Sequence, residues 1–467
     1  MQTEGTKKRA VIVGVQVDGV TDAEHLSSLD ELHRLAETLG LEVVARVTQR
    51  RAAIAKAAVV GRGKLKALAR LTGGTGIVPS GVEPARKKQS YQGHGEAEDD
   101  DEEDDDEPEG ESDADAPKDK AAAVLVDHDL TPSQARNLER ATGAEVLDRT
   151  GVILAIFHRH ARSREARLQV EIARLSYLAP RLRELGGAKE RQRGGIGGRG
   201  AGESSMELDR RKVRDRIAEL RRELEAIESE STVRRRRRAD HQRIALVGYT
   251  NAGKSSLMKA LTGNEAYVAD ALFATLDTTV RAMKPETRPR ILVSDTVGFI
   301  KKLPHDLVAS FRSTLDEARE AQLLLHIIDA ADPAHEAQLE VTKAVLSELG
   351  AGDAPTMLVL NKIDKVSPEE RARLAERFPD AIQLSAKSVA DVARLRERVV
   401  AEFERSMVEG TLFVPYRLQR LVSEVHERCR VLSETHDELG THLHVKAIPD
   451  AVARFEEQLS ASAARAP

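Results

Sequence analysis

Gly248-Tyr249-Thr250-Asn251-Ala252-Gly253-Lys254-Ser255 is the stretch that decides the fold, because it fits G-x-x-x-x-G-K-[ST] at every fixed position. Residues 243–247 before it, Arg-Ile-Ala-Leu-Val, are typical of a buried strand. Residues 256–261 after it favour a helix that stops at Gly263. A strand, a glycine loop and a helix start present backbone N–H groups and a helix dipole to an anion. The stretch therefore predicts a nucleoside triphosphate site, with a chance glycine-rich turn as the alternative.

Two segments supply side chains suited to a triphosphate and its metal ion. Lys254 is expected to reach the β- and γ-phosphates, and the Ser255 hydroxyl to ligate Mg²⁺. Asp295-Thr296-Val297-Gly298 follows the apolar run at residues 291–293, roughly 40 residues beyond the glycine loop. In this segment we expect Asp295 to hold Mg²⁺ through a water molecule and the Gly298 N–H to contact the γ-phosphate.

Two further segments predict which base is bound. Asn361-Lys362-Ile363-Asp364 follows the apolar run at residues 357–360, and Ser385-Ala386-Lys387 follows the next one. The Asp364 carboxylate can accept from both N1–H and the 2-amino group of guanine, and adenine would leave this carboxylate unpaired. Lys362 is expected to lie along the base plane, Asn361 to tie loops together, and the second segment to offer an N–H to guanine O6. The predicted ligand is GTP, with ATP as the disfavoured alternative.

The segment Phe273-Ala274-Thr275-Leu276-Asp277-Thr278-Thr279 is expected to be a mobile loop that closes over the γ-phosphate. A threonine there would complete the magnesium shell, and spacing alone does not choose among Thr275, Thr278 and Thr279. Phe299 follows Gly298, where signalling GTPases have a glutamine that orients water. Phenylalanine makes no such hydrogen bonds. We therefore assign no catalytic residue and expect slow intrinsic hydrolysis that a partner raises.

Composition limits the class of protein. A chain of 467 residues is expected to hold two to four domains. It has no apolar run of about 18 residues, so no membrane span is expected. The first residues lack the apolar core and cleavage site of a signal peptide. Cys429 is the single cysteine, which excludes an internal disulfide and a cysteine-based metal cluster. We expect a monomeric cytoplasmic protein.

The net charge of −5 hides two opposite segments. Residues 96–115 contain 15 acidic side chains and no basic one; without them, 62 of the 77 acidic residues remain against 72 Lys and Arg. Residues 159–240 contain 23 basic and 14 acidic side chains, an excess suited to nucleic acid. With no Trp and 3% aromatic residues, we expect phosphate contacts rather than base stacking as the main mode. A solvated, charged coiled coil is the alternative.

The first 160 residues predict one parallel α/β domain, interrupted by a disordered acidic insert at 91–120. Strands are expected at 10–15, 41–47, 122–126 and 145–147, with a helix at 24–39. Thr131 is expected to cap another helix, with Pro132 at its first position. Val60-Gly61-Arg62-Gly63-Lys64-Leu65 is a glycine turn opening a helix with two cations; it could hold an anion, but a structural turn is the favoured interpretation.

Residues 161–240 predict a helical hairpin. Helices are expected at 151–189 and 203–239, joined by a glycine- and arginine-rich tip at 192–202 that leaves arginines available for phosphates. A flexible linker is the alternative for this tip. The candidate RNA contacts are the cations of the tip, of the following basic run and of the glycine turn: Arg193, Arg199, Arg234, Arg235, Arg236, Arg237, Arg238, Arg62 and Lys64.

Residues 241–405 repeat strand and helix, and near-continuous apolar strands predict a doubly wound, mostly parallel sheet with its ligand at the carboxyl ends of the strands. Residues 411–467 predict a small α+β domain with a helix at 416–433, a strand at 441–448 and a helix at 451–459. Nothing in this last domain suggests chemistry. His326 and the other histidines in apolar runs are expected to be core or surface residues.

These motifs resemble those of the HflX-family GTPases, in the Obg–HflX group of translation-factor-like GTPases. The resemblance covers nearly the whole chain except the acidic insert. It is carried by GYTNAGKS (248–255), LFATLDTT (272–279), DTVGFI (295–300), NKID (361–364), SAK (385–387), GGIGGRGAGE (194–203) and VGRGK (60–64). Many GTPases share the guanine-site motifs, whereas FATLD, DTVGFI and the GGIGGRG tip together are a narrower signature.

The resemblance implies a P-loop G domain joined to the N-terminal α/β domain, the hairpin and the C-terminal domain. It also implies binding to the large ribosomal subunit and its rRNA, with splitting or rescue of stalled or stressed ribosomes. By this resemblance Thr275 is the magnesium threonine. The alternatives are a GTPase that assists rRNA folding or ribosome assembly, and a nucleotide-gated regulatory scaffold that does not act on ribosomes. The expected GTP-binding residues are Gly248, Tyr249, Thr250, Asn251, Ala252, Gly253, Lys254, Ser255, Phe273, Ala274, Thr275, Leu276, Asp277, Asp295, Thr296, Val297, Gly298, Asn361, Lys362, Ile363, Asp364, Ser385, Ala386 and Lys387.

Overall fold

The structure is a computed structural model that describes residues 7–78, 120–190, 205–237, 241–263, 272–273, 279–301 and 312–464. These residues divide into two compact units, one within 1–155 and 180–202 and the other within 156–179 and 203–467. The hairpin tip, and all but the last residue of the acidic insert, lie outside the described residues. Among the described helices, none has the length and apolar character needed to cross a bilayer.

The first unit is built on a parallel sheet in the order β2-β1-β3-β4, which confirms the expected α/β arrangement. Val11, Ile12 and Val13 of the first strand are fully buried because helices cover both faces of the sheet. Thr131 caps a helix as predicted, its hydroxyl accepting from the Gln134 N–H at 3.3 Å. The elements are β1 (Arg9–Val17), α1 (Asp22–Thr38), β2 (Glu42–Arg51), α2 (Arg62–Thr72), β3 (Ala123–Val126), α3 (Pro132–Thr142) and β4 (Glu145–Asp148).

A buried ion-pair cluster fixes the start of the next helix, α4 (Arg149–His160). The Arg149 guanidinium is 2% exposed and donates to Asp127 Oδ1 at 2.8 Å and to Glu31 Oε2. Asp127 also accepts from the Ser28 hydroxyl at 2.6 Å. Removing one partner would leave a buried charge uncompensated, at a cost of about 3–5 kcal/mol. The cluster therefore pins the first turn of α4 to the N-terminal sheet.

The expected continuous helix at 151–189 is wrong, because the chain breaks at residues 161–163 between α4 and α5 (Arg164–Glu190). The Ser163 hydroxyl accepts from the Ala166 N–H at 3.1 Å and so caps the new helix. Arg164 pairs with Glu223 of α6 (Ser205–Arg237) at 3.0 Å, and Glu171 pairs with Arg216 at 3.2 Å. These contacts run in opposite sequence directions, so the two helices are antiparallel as predicted.

The sheet that contains the strand before the glycine loop has six strands in the order β10-β9-β8-β5-β7-β6. Of these strands, β6 alone is antiparallel to its neighbour. The expected doubly wound, mostly parallel sheet is confirmed, while the antiparallel edge strand was not foreseen. The elements are β5 (Gln242–Gly248), α7 (Lys254–Thr262), β6 (Thr279–Ala282), β7 (Ile291–Asp295), α8 (Arg312–Arg319), β8 (Leu323–Asp329), α9 (His335–Glu348), β9 (Thr356–Asn361), α10 (Pro368–Arg377), β10 (Ile382–Gln383) and α11 (Val389–Arg405).

The last domain is an antiparallel sheet in the order β11-β13-β12 with two helices on one face. Its elements are β11 (Val408–Pro415), α12 (Arg420–Arg428), β12 (Arg430–His436), β13 (Gly440–Ala447) and α13 (Pro449–Ala464). The expected single helix at 416–433 is wrong. The helix ends at Arg428, and Val431 packs against the domain core from a strand. The helix and the short strand that follows it have similar apolar spacing, so they are hard to separate from the sequence alone.

Candidate functional site

The glycine loop is held in a shape that only glycine permits at two positions. Gly253 has φ +96°, and a Cβ there would lie 2.2 Å from the Asn361 side-chain nitrogen. Gly248 has φ +150°, and a Cβ there would lie 2.2 Å from the Ile327 carbonyl oxygen. Both glycines therefore allow the backbone to approach β8 and the end of β9 closely. The loop ends where α7 begins, which aims free N–H groups of the first helical turn at an anion.

Lys254 is the first residue of α7, and its ammonium group lies inside the loop. The Nζ atom donates to the Gly248 carbonyl at 3.0 Å and to the Tyr249 carbonyl at 2.7 Å. Burial lowers the pKa of Lys254 from 10.5 to about 8, and the Asp295 carboxylate opposes this shift only in part. A buried ammonium group with so little negative charge around it is suited to a phosphate anion.

Ser255 and Asp295 meet because β5 and β7 are neighbouring parallel strands, paired in register from Gln242 to Leu246. The Ser255 hydroxyl donates to Asp295 Oδ2 at 2.8 Å, and Asp295 is 2% exposed. A hydroxyl and a carboxylate are the hard oxygen donors that Mg²⁺ prefers. This donor pair, directly beside the phosphate loop, therefore fits a magnesium ion.

The segment after Asp295 is tied to the glycine loop through its backbone. The Thr250 N–H donates to the Phe299 carbonyl at 2.8 Å, and the Phe299 N–H donates to the Gly248 carbonyl at 3.2 Å. The Lys301 N–H donates to the Tyr249 hydroxyl at 2.7 Å. The Phe299 side chain is 1% exposed. Residue 299 therefore offers the site no polar side chain.

Gly298 lies directly against the phosphate loop. A Cβ at this position would be 2.8 Å from Thr250 Cγ2 and 3.0 Å from Lys254 Nζ. The adjoining Thr296 hydroxyl donates to the Leu246 carbonyl at 2.7 Å and so fixes the segment to β5. A γ-phosphate bound at Lys254 would thus be within reach of the Gly298 backbone.

Asn361, the last residue of β9, joins two loops as predicted. Its side-chain nitrogen donates to the Ala252 carbonyl at 2.9 Å, and its oxygen accepts from the Ala386 N–H at 3.0 Å. The next residue, Lys362, has φ +60°, and its ammonium group pairs with Asp329 Oδ2 at 2.7 Å. The phosphate loop, the Asn361 segment and the Ser385 segment are therefore held together by direct hydrogen bonds.

The Asp364 side chain is exposed, three residues after Asn361. A hydrogen bond with the Ser385 side chain lowers the pKa of Asp364, against the opposing effect of burial. The Ser385 hydroxyl also accepts from the Lys387 N–H at 3.3 Å. An ionised carboxylate held beside a backbone loop can accept two hydrogen bonds from one edge of a base.

Some predicted residues lie outside the described part of the chain: Ala274, Thr275, Leu276, Asp277 and Thr278 of the switch loop, and Arg193, Arg199 and Arg238 among the RNA candidates. Arg234 to Arg237 are described only as the end of α6. Arg62 and Lys64 are exposed in the first turn of α2, where no acidic residue balances them. Apart from Phe273, the remaining predicted nucleotide residues lie at or just beyond the carboxyl ends of β5, β7, β9 and β10.

Phe273, the first residue of the expected switch loop, packs against a residue that the sequence did not single out. Its side chain is 3% exposed and its φ is +56°, which is uncommon for a phenylalanine. The Phe157 ring of α4 meets it edge to face, with centroids 4.7 Å apart and an interplanar angle of 84°. The apolar run of α4 gave no sign of this long-range contact.

Asp329 is a second residue that sequence reasoning missed. It ends β8, the strand directly beside β5, and its carboxylate pairs with Lys362. Asp329 could have been predicted from the sequence, because a carboxylate at the carboxyl end of a central parallel strand is typical of a ligand site. His326 of the same strand is 2% exposed, and burial lowers its pKa to about 4. This confirms the expected core placement of His326, with a neutral ring at pH 7.

A doubly wound sheet, a phosphate loop that opens a helix, a hydroxyl–carboxylate pair and a carboxylate-bearing base loop define a P-loop GTPase. Three family profiles match the chain: GTP-binding GTPase N-terminal over residues 26–78 and 111–158, GTP-binding GTPase Middle Region over 160–238, and 50S ribosome-binding GTPase over 243–362.

The chain is 56% identical over 461 residues to the GTPase HflX of Gluconacetobacter diazotrophicus, covering 99% of this chain and all of that protein. It is 44% identical over 325 residues to the GTPase HflX of Escherichia coli, covering 69% and 76% of the two chains. A GDP complex of a GTP-binding protein from Sulfolobus solfataricus is similar at 22% identity and a TM-score of 0.41, covering 84% and 98%. The chain belongs to the HflX family of GTPases; it binds GTP and hydrolyses it to GDP and phosphate.

Proposed function

We propose that this GTPase binds the large ribosomal subunit and couples its nucleotide cycle to the splitting or rescue of stalled or stressed ribosomes. The observation that carries the proposal is the match of residues 243–362 to a family described as 50S ribosome-binding GTPases. The basic excess of residues 159–240 supports an RNA-rich partner. In this proposal the N-terminal domain at 1–160 and the hairpin at 161–240 contact rRNA, the G domain at 241–405 responds to nucleotide, and residues 411–467 form a separate domain.

Mg²⁺ is the proposed cofactor, and Ser255 would hold it directly while Asp295 would do so through water. Thr275 would complete the shell when the switch loop closes. A magnesium ion held by these residues would supply positive charge against the phosphates of the nucleotide. Lys254 would bind the same phosphates, the Gly298 N–H would contact the γ-phosphate, and Asp364 would select guanine. Because residue 299 orients no water, we expect hydrolysis to be slow until the ribosome orders these loops.

Sedimentation of ribosomes tests the proposal most directly. Co-migration with large subunits is expected with a non-hydrolysable GTP analogue and is expected to weaken with GDP, because coupling requires the two forms to bind differently. Loss of 70S particles after addition of the protein and GTP would support splitting. Free protein with every nucleotide would favour a regulatory scaffold, and association with assembly intermediates alone would favour a role in rRNA folding or ribosome assembly.

Asp364→Asn tests the proposed base recognition. The asparagine amide cannot accept both guanine donors, so GTP affinity should fall by about tenfold to a hundredfold. Xanthosine triphosphate carries an oxygen in place of the 2-amino group, and the amide can donate to it, so its affinity should rise. Calorimetry with magnesium measures both, and Glu369→Gln on the exposed surface of α10 serves as the control. An unchanged preference for GTP would contradict the role assigned to Asp364.

A further inference from the structure

The last domain leaves one face of its three-stranded sheet open, opposite the helices. Leu412 and Leu443 face the helices and are at most 1% exposed. Their neighbours along each strand point the other way, because side chains alternate across a sheet. The pairs on the open face are Glu409 with Lys446, Thr411 with His444 and Phe413 with His442.

Two adjacent strands place planar rings on this face. The Phe413 and His442 rings lie 4.7 Å apart, centroid to centroid, and are tilted by 39°. Phe413 is 37% exposed, more than any other phenylalanine among the described residues. The His442 and His444 side chains are 43% and 42% exposed. The ring face is thus presented to solvent rather than packed into the core.

The polar surroundings of these rings indicate what they bind. Hydroxyl groups of Thr411, Ser433 and Thr435 flank the histidines, since Ser433 pairs with His444 and Thr435 with His442 across the sheet. Lys446 and Arg430 lie opposite each other at one end of this face, where Arg430 also forms an ion pair with Glu404. Carboxylates are present too: Glu409 lies 3.7 Å from His444, and Asp437 lies 2.7 Å from His442.

We propose that this open face, defined by Thr411, Phe413, His442, His444 and Lys446, docks an unpaired RNA segment by base stacking. A sheet face that combines exposed rings, hydroxyls and a cation matches the way in which β-sheet RNA modules hold splayed bases. The core of a protein interface is depleted of charged residues, whereas the pairs of β11 with β13 on this face include Glu409 and Lys446 beside two histidines. The identity of the RNA as large-subunit rRNA rests on the proposed function above; the docking itself does not.

Photocrosslinking of the full-length protein to a single-stranded RNA of about twelve nucleotides containing 4-thiouridine tests the proposal. Crosslinks are expected on β11 and β13, and Phe413→Ala should remove them and weaken RNA affinity by about tenfold in moderate salt. Phe413→Tyr keeps a stacking ring and should bind like the wild type. Leu439→Ala removes another exposed apolar side chain of this domain and is the matched control. Thermal unfolding of each variant checks that the domain is folded.

The outcomes separate this proposal from the ribosome proposal. Crosslinks confined to other segments, or an unchanged RNA affinity for Phe413→Ala, would overturn RNA docking even if the protein sediments with large subunits. If Phe413→Ala binds RNA normally but binds the large subunit more weakly, the face would be assigned to a protein partner. That result would also overturn RNA docking. Loss of RNA crosslinks in Phe413→Ala would support RNA docking. If the wild-type protein then never sediments with ribosomes, the ribosome proposal would be contradicted while RNA docking stands.

Discussion

The burial of Lys254 links nucleotide binding to protonation. Burial holds the pKa of Lys254 at about 8, below its ordinary value of 10.5. The folded state therefore gains stability from this group as pH rises from about 8 to 10.5, and loses it as pH falls through 8. Bound phosphates favour the charged ammonium group, so they should raise this pKa and draw in a proton.

We expect GDP or GTP binding to take up about half a proton at pH 8 and much less at pH 7, where Lys254 is already charged. Titration calorimetry in buffers with different ionisation enthalpies measures the uptake, and the pH 7 experiment is the internal control. Identical apparent enthalpies in all buffers at pH 8 would show that Lys254 does not titrate in this range.

Phe299→Gln would place an amide where a buried benzyl group now packs. We expect a loss of stability of about 2–4 kcal/mol, because the amide would be desolvated and the packing incomplete. The backbone hydrogen bonds of residue 299 do not depend on the side chain, so partner-stimulated GTP hydrolysis should persist. Urea unfolding and GTPase assays with and without large subunits measure the two effects.

Phe299→Leu, which stays apolar, is the control for the glutamine variant. Full stability of Phe299→Gln, together with a basal rate raised to the stimulated level, would mean that residue 299 can reach the attacking water. Equal basal and stimulated rates in the wild type would contradict the idea of a partner-dependent enzyme.

At the scale of elements, α4 is in contact with the switch loop. Phe157 of this helix holds the Phe273 ring, whose backbone has a positive φ. The contact fixes the first residue of the loop that is proposed to close over the γ-phosphate. Without it, closing the loop would require ordering more of the chain, at a cost in conformational entropy.

Phe157→Ala should therefore weaken binding of a GTP analogue by about threefold to tenfold, the equivalent of one aromatic pair. GDP affinity should change little, because GDP lacks the γ-phosphate that draws in the loop. Phe157→Leu keeps an apolar contact, so its affinity for the GTP analogue should lie between those of Phe157→Ala and the wild type. Titration with GDP and with the GTP analogue measures the ratio of the two affinities. Equal losses of affinity for the two nucleotides would mean that the contact supports the fold alone.

At the scale of the whole molecule, the acidic insert is expected to compete with RNA for the basic residues. It carries 15 acidic side chains at 96–115, opposite in charge to the excess of Lys and Arg at 159–240. Deleting residues 93–119 should tighten RNA binding by about threefold to tenfold at low ionic strength, and the difference should vanish in high salt. Filter binding across a salt series measures this.

A Gly/Ser segment of equal length in place of residues 96–115 separates charge from length, and it should behave like the deletion. If both variants bind RNA with wild-type affinity at low salt, the insert does not occupy the basic surface.

Much of the site was predictable because its motifs are local. One short segment of the sequence contains Gly248, Gly253, Lys254 and Ser255, and another contains Asn361 and Asp364. Parallel strands bring their carboxyl ends to one edge, so order along the sequence was enough to place these segments together. The C-terminal sheet was not predictable in the same way, because a helix and a short strand follow each other there with similar apolar spacing.

The sequence by itself determined the phosphate loop, the guanine-type motifs, the parallel sheets and the charge segments, because each follows from residue type and spacing along the chain. Only the tertiary structure decided that Phe157 holds Phe273, that Asp329 pairs with Lys362 and that Phe413 meets His442 on an open face. Such pairs join residues far apart in sequence. They depend on how strands and helices pack, which no local pattern records.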